Sequence, residues 1–271
     1  MPTKIALLVT GSIPEPLRAE FGTYHTVYTE FLRRAHPVPG TEFVLDAYDV
    51  VEEMEYPSNA QLDGYYDAVM YTGSAASAYD DVPWINTLVA FSAHVATEKP
   101  HIKIIAICFG HQILARALGG ECVPNNGIWE VGPTPLDLTD LGKRLFGVDT
   151  LNIQQMHRDH VPSVPPSFHL LASTPVSPNQ GMVRFAPNTH TDTETNTDSD
   201  LDLDAVQILT LQGHPEYVAG IVRGLVTLRV AAGIMSAELG ADVERRLGLG
   251  WREDGVGVLG RAVWRVLGAR A

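Results

Sequence analysis

Residues 103–120 constrain this chain more than any other stretch. A β-branched run, Lys103 to Ile107, stops at Cys108, and Gly110 follows two residues later. A helical apolar pattern then opens with His111 and Gln112 and closes at Gly119 and Gly120. Strand, tight turn and helix with a thiol at the bend make the shape of a nucleophile elbow, in which small neighbours relieve crowding around a side chain lifted clear of a sheet. The helix N-terminus favours the thiolate, the form of cysteine that attacks carbon. Taken alone, Cys108 reads equally well as a buried thiol ending a core strand.

The surroundings suit an α/β protein. Residues 4–9 form a nearly continuous apolar run ending in Thr10-Gly11, as for a strand buried on both faces. Residues 24–34 have a helical pattern, residues 43–50 and 66–71 read as strands, and residues 84–97 read as a helix with Pro83 near its start. Strands alternating with helices at this spacing predict a parallel, doubly wound sheet. Between residues 121 and 185, short strands (129–138, 151–156) alternate with prolines, predicting a small antiparallel edge region. Residues 205–212 form another strand. A helix is expected from 217 to 247, broken near Gly240, and residues 251–271 form an amphipathic C-terminal extension that packs on the domain or on a partner chain. Residues 1–250 are read as one domain. The acidic run 189–204 is read as a solvated, disordered insertion. It lacks the glycine turn and closing glutamate of a calcium loop.

Bulk properties narrow the function. At 271 residues the chain can bury a substantial core. A formal net charge of -13 argues against a nucleic-acid surface. No segment approaches transmembrane length, and the C-terminal stripe lacks the basic face of a membrane-surface helix. The apolar run at residues 4–9 is too short for a signal peptide. Two cysteines, Cys108 and Cys122, argue against a disulfide framework and suit a reducing compartment, so a cytoplasmic location is expected. Cys122 is read as packing.

A nucleophilic thiol needs a base and a group that orients the base. Residues 205–212 end just before His214, Pro215 and Glu216. In an open parallel sheet the carboxyl ends of strands share one edge, where ligands bind. Topology can therefore bring His214 to Cys108, with Glu216 turned back to the imidazole. An isolated His-x-Glu is more often a surface histidine beside a helix-capping glutamate. Its place after a buried strand, downstream of the elbow, favours the triad Cys108, His214 and Glu216. His157 and His160 compete as bases, and each also reads as a loop or strand-end polar residue.

These segments resemble the class I glutamine amidotransferases. Ala106, Cys108, Gly110 and Gln112 match that family's small-x-Cys-x-Gly-x-Gln signature, with Ala106 where glycine is usual. Residues 213–216 match its Gly-His-Pro-Glu. The resemblance implies an α/β, flavodoxin-like, mostly parallel doubly wound sheet with helices on both faces. It implies an oxyanion hole from Gly73 or Ser74 and Phe109, although Ser74-Ala75 replaces the Gly-Pro of many members. It implies that Gln112 contacts bound substrate, and that His157 and Asp159 border the pocket. Neither a metal nor an organic cofactor is implied.

The substrate implied is a small molecule with a γ-glutamyl amide. If ammonia leaves, the user is a separate synthetase chain, since no P-loop is present. If a larger amine leaves, the activity is that of a γ-glutamyl peptidase, whose loop residues 73–81 resemble. A regulatory protein using the fold only for binding is the third reading. Related cysteine peptidases and chaperone-like proteins follow the cysteine with histidine, where this chain has Phe109.

Overall fold

The computed structural model describes residues 1–187 and 201–270. The parallel half of the sheet contains β1 (Thr3–Val9), β2 (Phe43–Asp49), β3 (Ala68–Tyr71), β4 (Lys103–Ile107) and a later strand, Val206–Leu211, which is β11. Between β4 and β11 lie β5 (Val123–Pro124), β6 (Glu130–Leu138), β7 (Leu151–His157), β8 (Asp159–His160), β9 (His169–Ser173) and β10 (Gly181–Phe185). The helices are α1 (Leu17–Phe21), α2 (Tyr24–Ala35), α3 (Asn59–Gly64), α4 (Pro83–Glu98), α5 (Phe109–Ala117), α6 (Asp140–Phe146), α7 (Ala219–Ala231), α8 (Ala237–Leu247) and α9 (Arg261–Val266).

Nine strands form one sheet in the order β2-β1-β3-β4-β11-β10-β9-β6-β7. The first five run parallel, and β10, β9, β6 and β7 continue antiparallel. The expected antiparallel region is thus hydrogen-bonded onto the main sheet rather than packed beside it. It also curls back: Gln154 of the outermost strand forms an isolated bridge with His214, after the central strand β11.

The continuous apolar strands have the reason expected for parallel sheets, which are covered on both faces. Ile5, Leu7, Met70, Ile105, Ile107 and Leu209 point into one core with α2, α7 and α9. Ala6, Leu8, Val69, Tyr71, Ile104 and Ala106 point into the other with α4 and α5. Period-two alternation along each strand therefore feeds two layers.

Two boundaries differ from the sequence reading. The helix expected over 217–247 breaks at residues 232–236, not at Gly240. Gly233 takes a positive φ of 70° there, and the Ser236 side chain accepts from Leu239 N–H to start α8. Gly240 instead lies inside α8, where a Cβ would meet Val230 Cγ2 at 3.0 Å, so its small size serves helix contact. Residues 189–200 of the acidic run lie outside the described residues. Its last four residues are described, and Leu203 is buried in a 3-10 turn, Leu203–Ala205.

The C-terminal segment is part of the core. A π-helical turn, Gly255–Gly260, leads into α9, and Trp264 is fully buried with its indole N–H donating to Leu32 O at 2.8 Å. Its ring meets His36 and Phe43 edge-on. Truncating a buried tryptophan costs about 3–5 kcal/mol. Trp264→Ala should therefore lower the urea midpoint strongly. An unchanged midpoint would mean that this segment adds nothing to the fold.

Candidate active site

Cys108 follows β4 directly and caps the N-terminus of α5, with φ 52° and ψ -102°. A positive φ is unusual for a residue carrying a Cβ. The turn is pinned on both sides: Cys108 N–H donates to Leu211 O at 2.8 Å, and Gln112 N–H donates to Cys108 O at 3.2 Å. Gly110 presses so closely on Tyr71 and Ala106 that a Cβ there would collide with the Tyr71 side chain. The two neighbours of the elbow are small because β3 and β4 lie directly beneath it.

His214 reaches the same edge from β11. Its backbone N–H donates to Gln154 O at 2.8 Å, so the curled antiparallel strand holds it. Its ring Nδ1 lies 2.8 Å from Glu216 Oε1, which gives Nδ1 the proton and turns Nε2 outward. Tyr28 O–H also donates to Glu216 Oε1, at 3.3 Å. Tyr217 stacks on the imidazole with ring centres 4.0 Å apart and planes 4° apart, and its hydroxyl meets that of Tyr24 at 3.2 Å. Burial works against a charged ring, but the neighbouring Cys108 and Glu216, by charge and by hydrogen bond, outweigh it and push His214 up to about 10. An imidazole held this way can exchange a proton with the thiol.

Gly73 completes the cluster. A Cβ at this position would lie 2.8 Å from His214 Cε1 and 3.5 Å from Cys108 Cβ, so backbone alone fits beside the pair. Ser74 follows it, and its hydroxyl accepts from Ala76 N–H at 3.2 Å. Phe109 is the first residue of α5, where N–H groups have no intrahelical acceptor. Its ring is buried and stacks on Trp84.

The residues expected to border the pocket form a buried network behind the thiol. Gln112 donates both amide hydrogens, to Asp159 O and to Gln212 Oε1, each at 3.0 Å. Gln212 in turn donates to Cys108 Sγ at 3.7 Å. Asp159 Oδ2 accepts from Ser77 O–H at 2.7 Å. His157 Nδ1 lies 3.0 Å from Asp159 O, and its Nε2 lies 3.1 Å from Glu130 Oε2. Burial holds His160 below its ordinary range. Cys122 lies just before β5, and burial pushes its thiol upward, away from reactivity.

Gln212 and Tyr217 were not singled out from sequence. Gln212 directly follows β11 and stands two residues before His214, but Gln207 and Thr210 within the same strand are also polar, so polarity alone did not mark it. The stacking of Tyr217 had no sequence signal, because adjacency to Glu216 does not predict ring orientation. A cavity of about 350 Å³ touches His214 and Glu216 from the side of α2 and residues 252–256, but Cys108 is not among its walls. The site is therefore located by its chemistry rather than by that cavity. Among the described residues, no group of three or more His, Cys, Asp or Glu could hold a metal, and no helix is long and apolar enough to cross a membrane.

The family model "Glutamine amidotransferase class-I" matches residues 46–223, a span containing Gly73, Cys108, His214 and Glu216. The chain belongs to the class I glutamine amidotransferase family. A glutamine amidotransferase-like protein of Schizosaccharomyces pombe is 34% identical over 225 residues, covering 82% of each chain. Gamma-glutamyl peptidase 4 of Arabidopsis thaliana is 26% identical over 243 residues, 85% of this chain and 82% of its own. The solved structure of a glutamine amidotransferase from Thermotoga maritima superposes with a TM-score of 0.66 at 16% identity, covering 98% of this chain and 99% of that one, which shows a shared fold.

For this amidotransferase fold the histidine environment is directly measurable. His214 should titrate near pH 10 in imidazole nitrogen NMR spectra, and Glu216→Gln should move the midpoint down. Because the folded value lies above the 6.5 of the free side chain, the stability it contributes is complete below about pH 6.5 and is lost as pH rises through about 10. A wild-type midpoint near 6.5 would refute the charged pairing.

Proposed function

We propose that this chain hydrolyses a γ-glutamyl amide through a γ-glutamyl thioester on Cys108. The reading rests on one observation above the others. A thiol on a strained elbow and an imidazole lie on either side of Gly73, and the imidazole Nδ1 is held 2.8 Å from a buried carboxylate.

In this reading His214 takes the Cys108 proton, and Sγ attacks the side-chain carbonyl carbon. Negative charge gathers on the carbonyl oxygen, beside the N–H groups of Ser74 (or Gly73) and Phe109. Such donors, fixed in advance, account for the largest single gain in many acyl transfers. His214 then gives its proton to the leaving amine, which departs as the carbonyl re-forms. Water, deprotonated by His214, adds to the thioester, and collapse releases glutamate and the free thiol. Glu216 keeps the imidazole in the tautomer and orientation this needs. Gln112 contributes its remaining carbonyl oxygen to the pocket, with His157 and Asp159 shaping the wall behind it.

The similarity to a γ-glutamyl peptidase along most of both chains supports a larger leaving amine than ammonia. Incubating wild type and Cys108→Ala with glutamine and with glutathione separates the cases. Released ammonia and free glutamate are measured. Glutamate from glutathione is expected, with the variant slower by about 10⁴- to 10⁶-fold, the range seen on removing a catalytic nucleophile. Ammonia from glutamine alone would point instead to a glutaminase supplying a separate synthetase. Equal behaviour of the two proteins on both substrates would leave a binding role and overturn the hydrolase reading.

A further inference from the structure

We infer that Thr10 is a positioning residue that locks the Gly73–Ser74 peptide with its N–H turned toward Cys108, so that the oxyanion site is assembled by this chain alone. The inference rests on the hydrolase reading above for its chemistry, but its geometry is independent of the substrate.

Thr10 follows β1, Gly73 follows β3, and Cys108 follows β4. In the sheet β3 lies between the other two, with Leu8 paired to Tyr71 on one side and Tyr71 paired to Ala106 on the other. Thr10 and Cys108 therefore flank Gly73 from opposite sides. On the β1 side, the Thr10 hydroxyl lies 2.9 Å from Gly73 O and 3.1 Å from Thr72 O, the shorter contact being to Gly73, and the Thr72 hydroxyl lies 3.2 Å from Gly73 O. The two hydroxyls are 2.9 Å apart, and Thr10 N–H donates to Thr72 Oγ1 at 3.0 Å. One consistent assignment uses every proton: Thr10 N–H to Thr72 Oγ1, Thr72 O–H to Thr10 Oγ1, and Thr10 O–H to Gly73 O. Both threonines are buried, so water cannot substitute for this pattern.

The consequence follows from the peptide plane. In a trans peptide the C=O and the next N–H point in opposite directions. With Gly73 O held toward β1, the Ser74 N–H is directed toward β4, the side on which Cys108 stands. Glycine at 73 would otherwise leave this peptide free to rotate, since it permits conformations closed to other residues. Thr10 removes that freedom. The donor then needs no reorganisation when charge develops, which is the condition under which such a site is most effective.

The test compares two reactions of Cys108. Iodoacetamide alkylates Sγ directly: the S–C bond forms as the C–I bond breaks, releasing iodide without any oxyanion. p-Nitrophenyl acetate reacts by Sγ addition to the carbonyl, placing negative charge on oxygen, and collapse expels p-nitrophenolate and leaves an acetyl thioester. Thr10→Val keeps the shape and removes the hydroxyl, and Thr10→Ser keeps the hydroxyl. Thr10→Val should slow acylation about tenfold, less than the ~10²–10³ of losing a donor outright. Alkylation should stay within about twofold, and Thr10→Ser should restore acylation. Equal acylation in wild type and Thr10→Val overturns the inference, as does a parallel fall in both rates or a failure of serine to rescue. Absence of reaction above Cys108→Ala with either reagent overturns it together with the hydrolase reading. Absence of glutamine and glutathione hydrolysis with intact acylation counts against the γ-glutamyl substrate alone.

Discussion

The backbone of Cys108 is the constraint on which the rest of the site depends. A residue with a Cβ held at positive φ costs about 1–3 kcal/mol and persists only where its surroundings over-determine it. Here they do so through several independent contacts. The neighbouring strand β11 accepts the Cys108 N–H, the helix takes its carbonyl, and Gly110 is wedged over Tyr71 and Ala106. Ala106 is informative in this respect. Its methyl group occupies a position where only hydrogen would be roomier, and the fully glycine path of Gly110 absorbs the crowding. The strain is what lifts Sγ away from the sheet and toward His214.

Around the elbow, many of the buried polar groups are connected to one another, although Gln155 Oε1, Asp159 Oδ1 and Glu216 Oε2 are buried without a hydrogen-bond partner among the described residues. Glu130, His157, Gln180 and Thr174 form one cluster, with Glu130 Oε2 accepting from Gln180 at 2.7 Å and Oε1 from Thr174 at 2.6 Å. Burial opposes the charge on Glu130, and the hydrogen bonds and charge of His157, with Ser177 and Thr174, outweigh it and hold the carboxyl below its ordinary range. Gln112 and Gln212 extend the connection to the thiol. Unpaired groups in such a setting would each cost 1–3 kcal/mol or so, which favours a single arrangement of the wall behind Cys108. His214 sits between this wall and a tyrosine cluster of Tyr24, Tyr28 and Tyr217, and so is fixed from both faces.

Much of this was legible in the residues themselves. Apolar runs followed by glycine marked the parallel strands, because a strand covered on both faces has no polar alternation to hide. Cys108 with Gly110 marked the elbow, and Gly213 to Glu216 marked the segment that meets it. Where the reading of the residues departed from the structure, a glycine had two meanings. Gly240 suggested a helix break but serves a helix contact, and Gly233 makes the turn. The C-terminal stripe announced an apolar face without saying what it covers, and Trp264 turns out to close the core against α2. Gln112 was expected at the site by resemblance alone. That its amide hydrogens serve the Gln212 side chain and the Asp159 carbonyl depended on three separate segments meeting.

The sequence by itself determined the strand-turn-helix around Cys108, the short span between His214 and Glu216, and the alternation that makes a layered α/β sheet. These are local, set by backbone sterics and by spacings of a few residues. The tertiary structure alone decided that β7 curls round to hold the His214 backbone, that Tyr217 stacks on its ring, and that Thr10 and Cys108 flank Gly73. The first and last of these join residues distant in the chain, brought together by strand order rather than local preference, and the ring stacking depends on how the packed segment turns. Strand order is set by how the whole chain buries its two cores, and no short stretch of sequence carries that information.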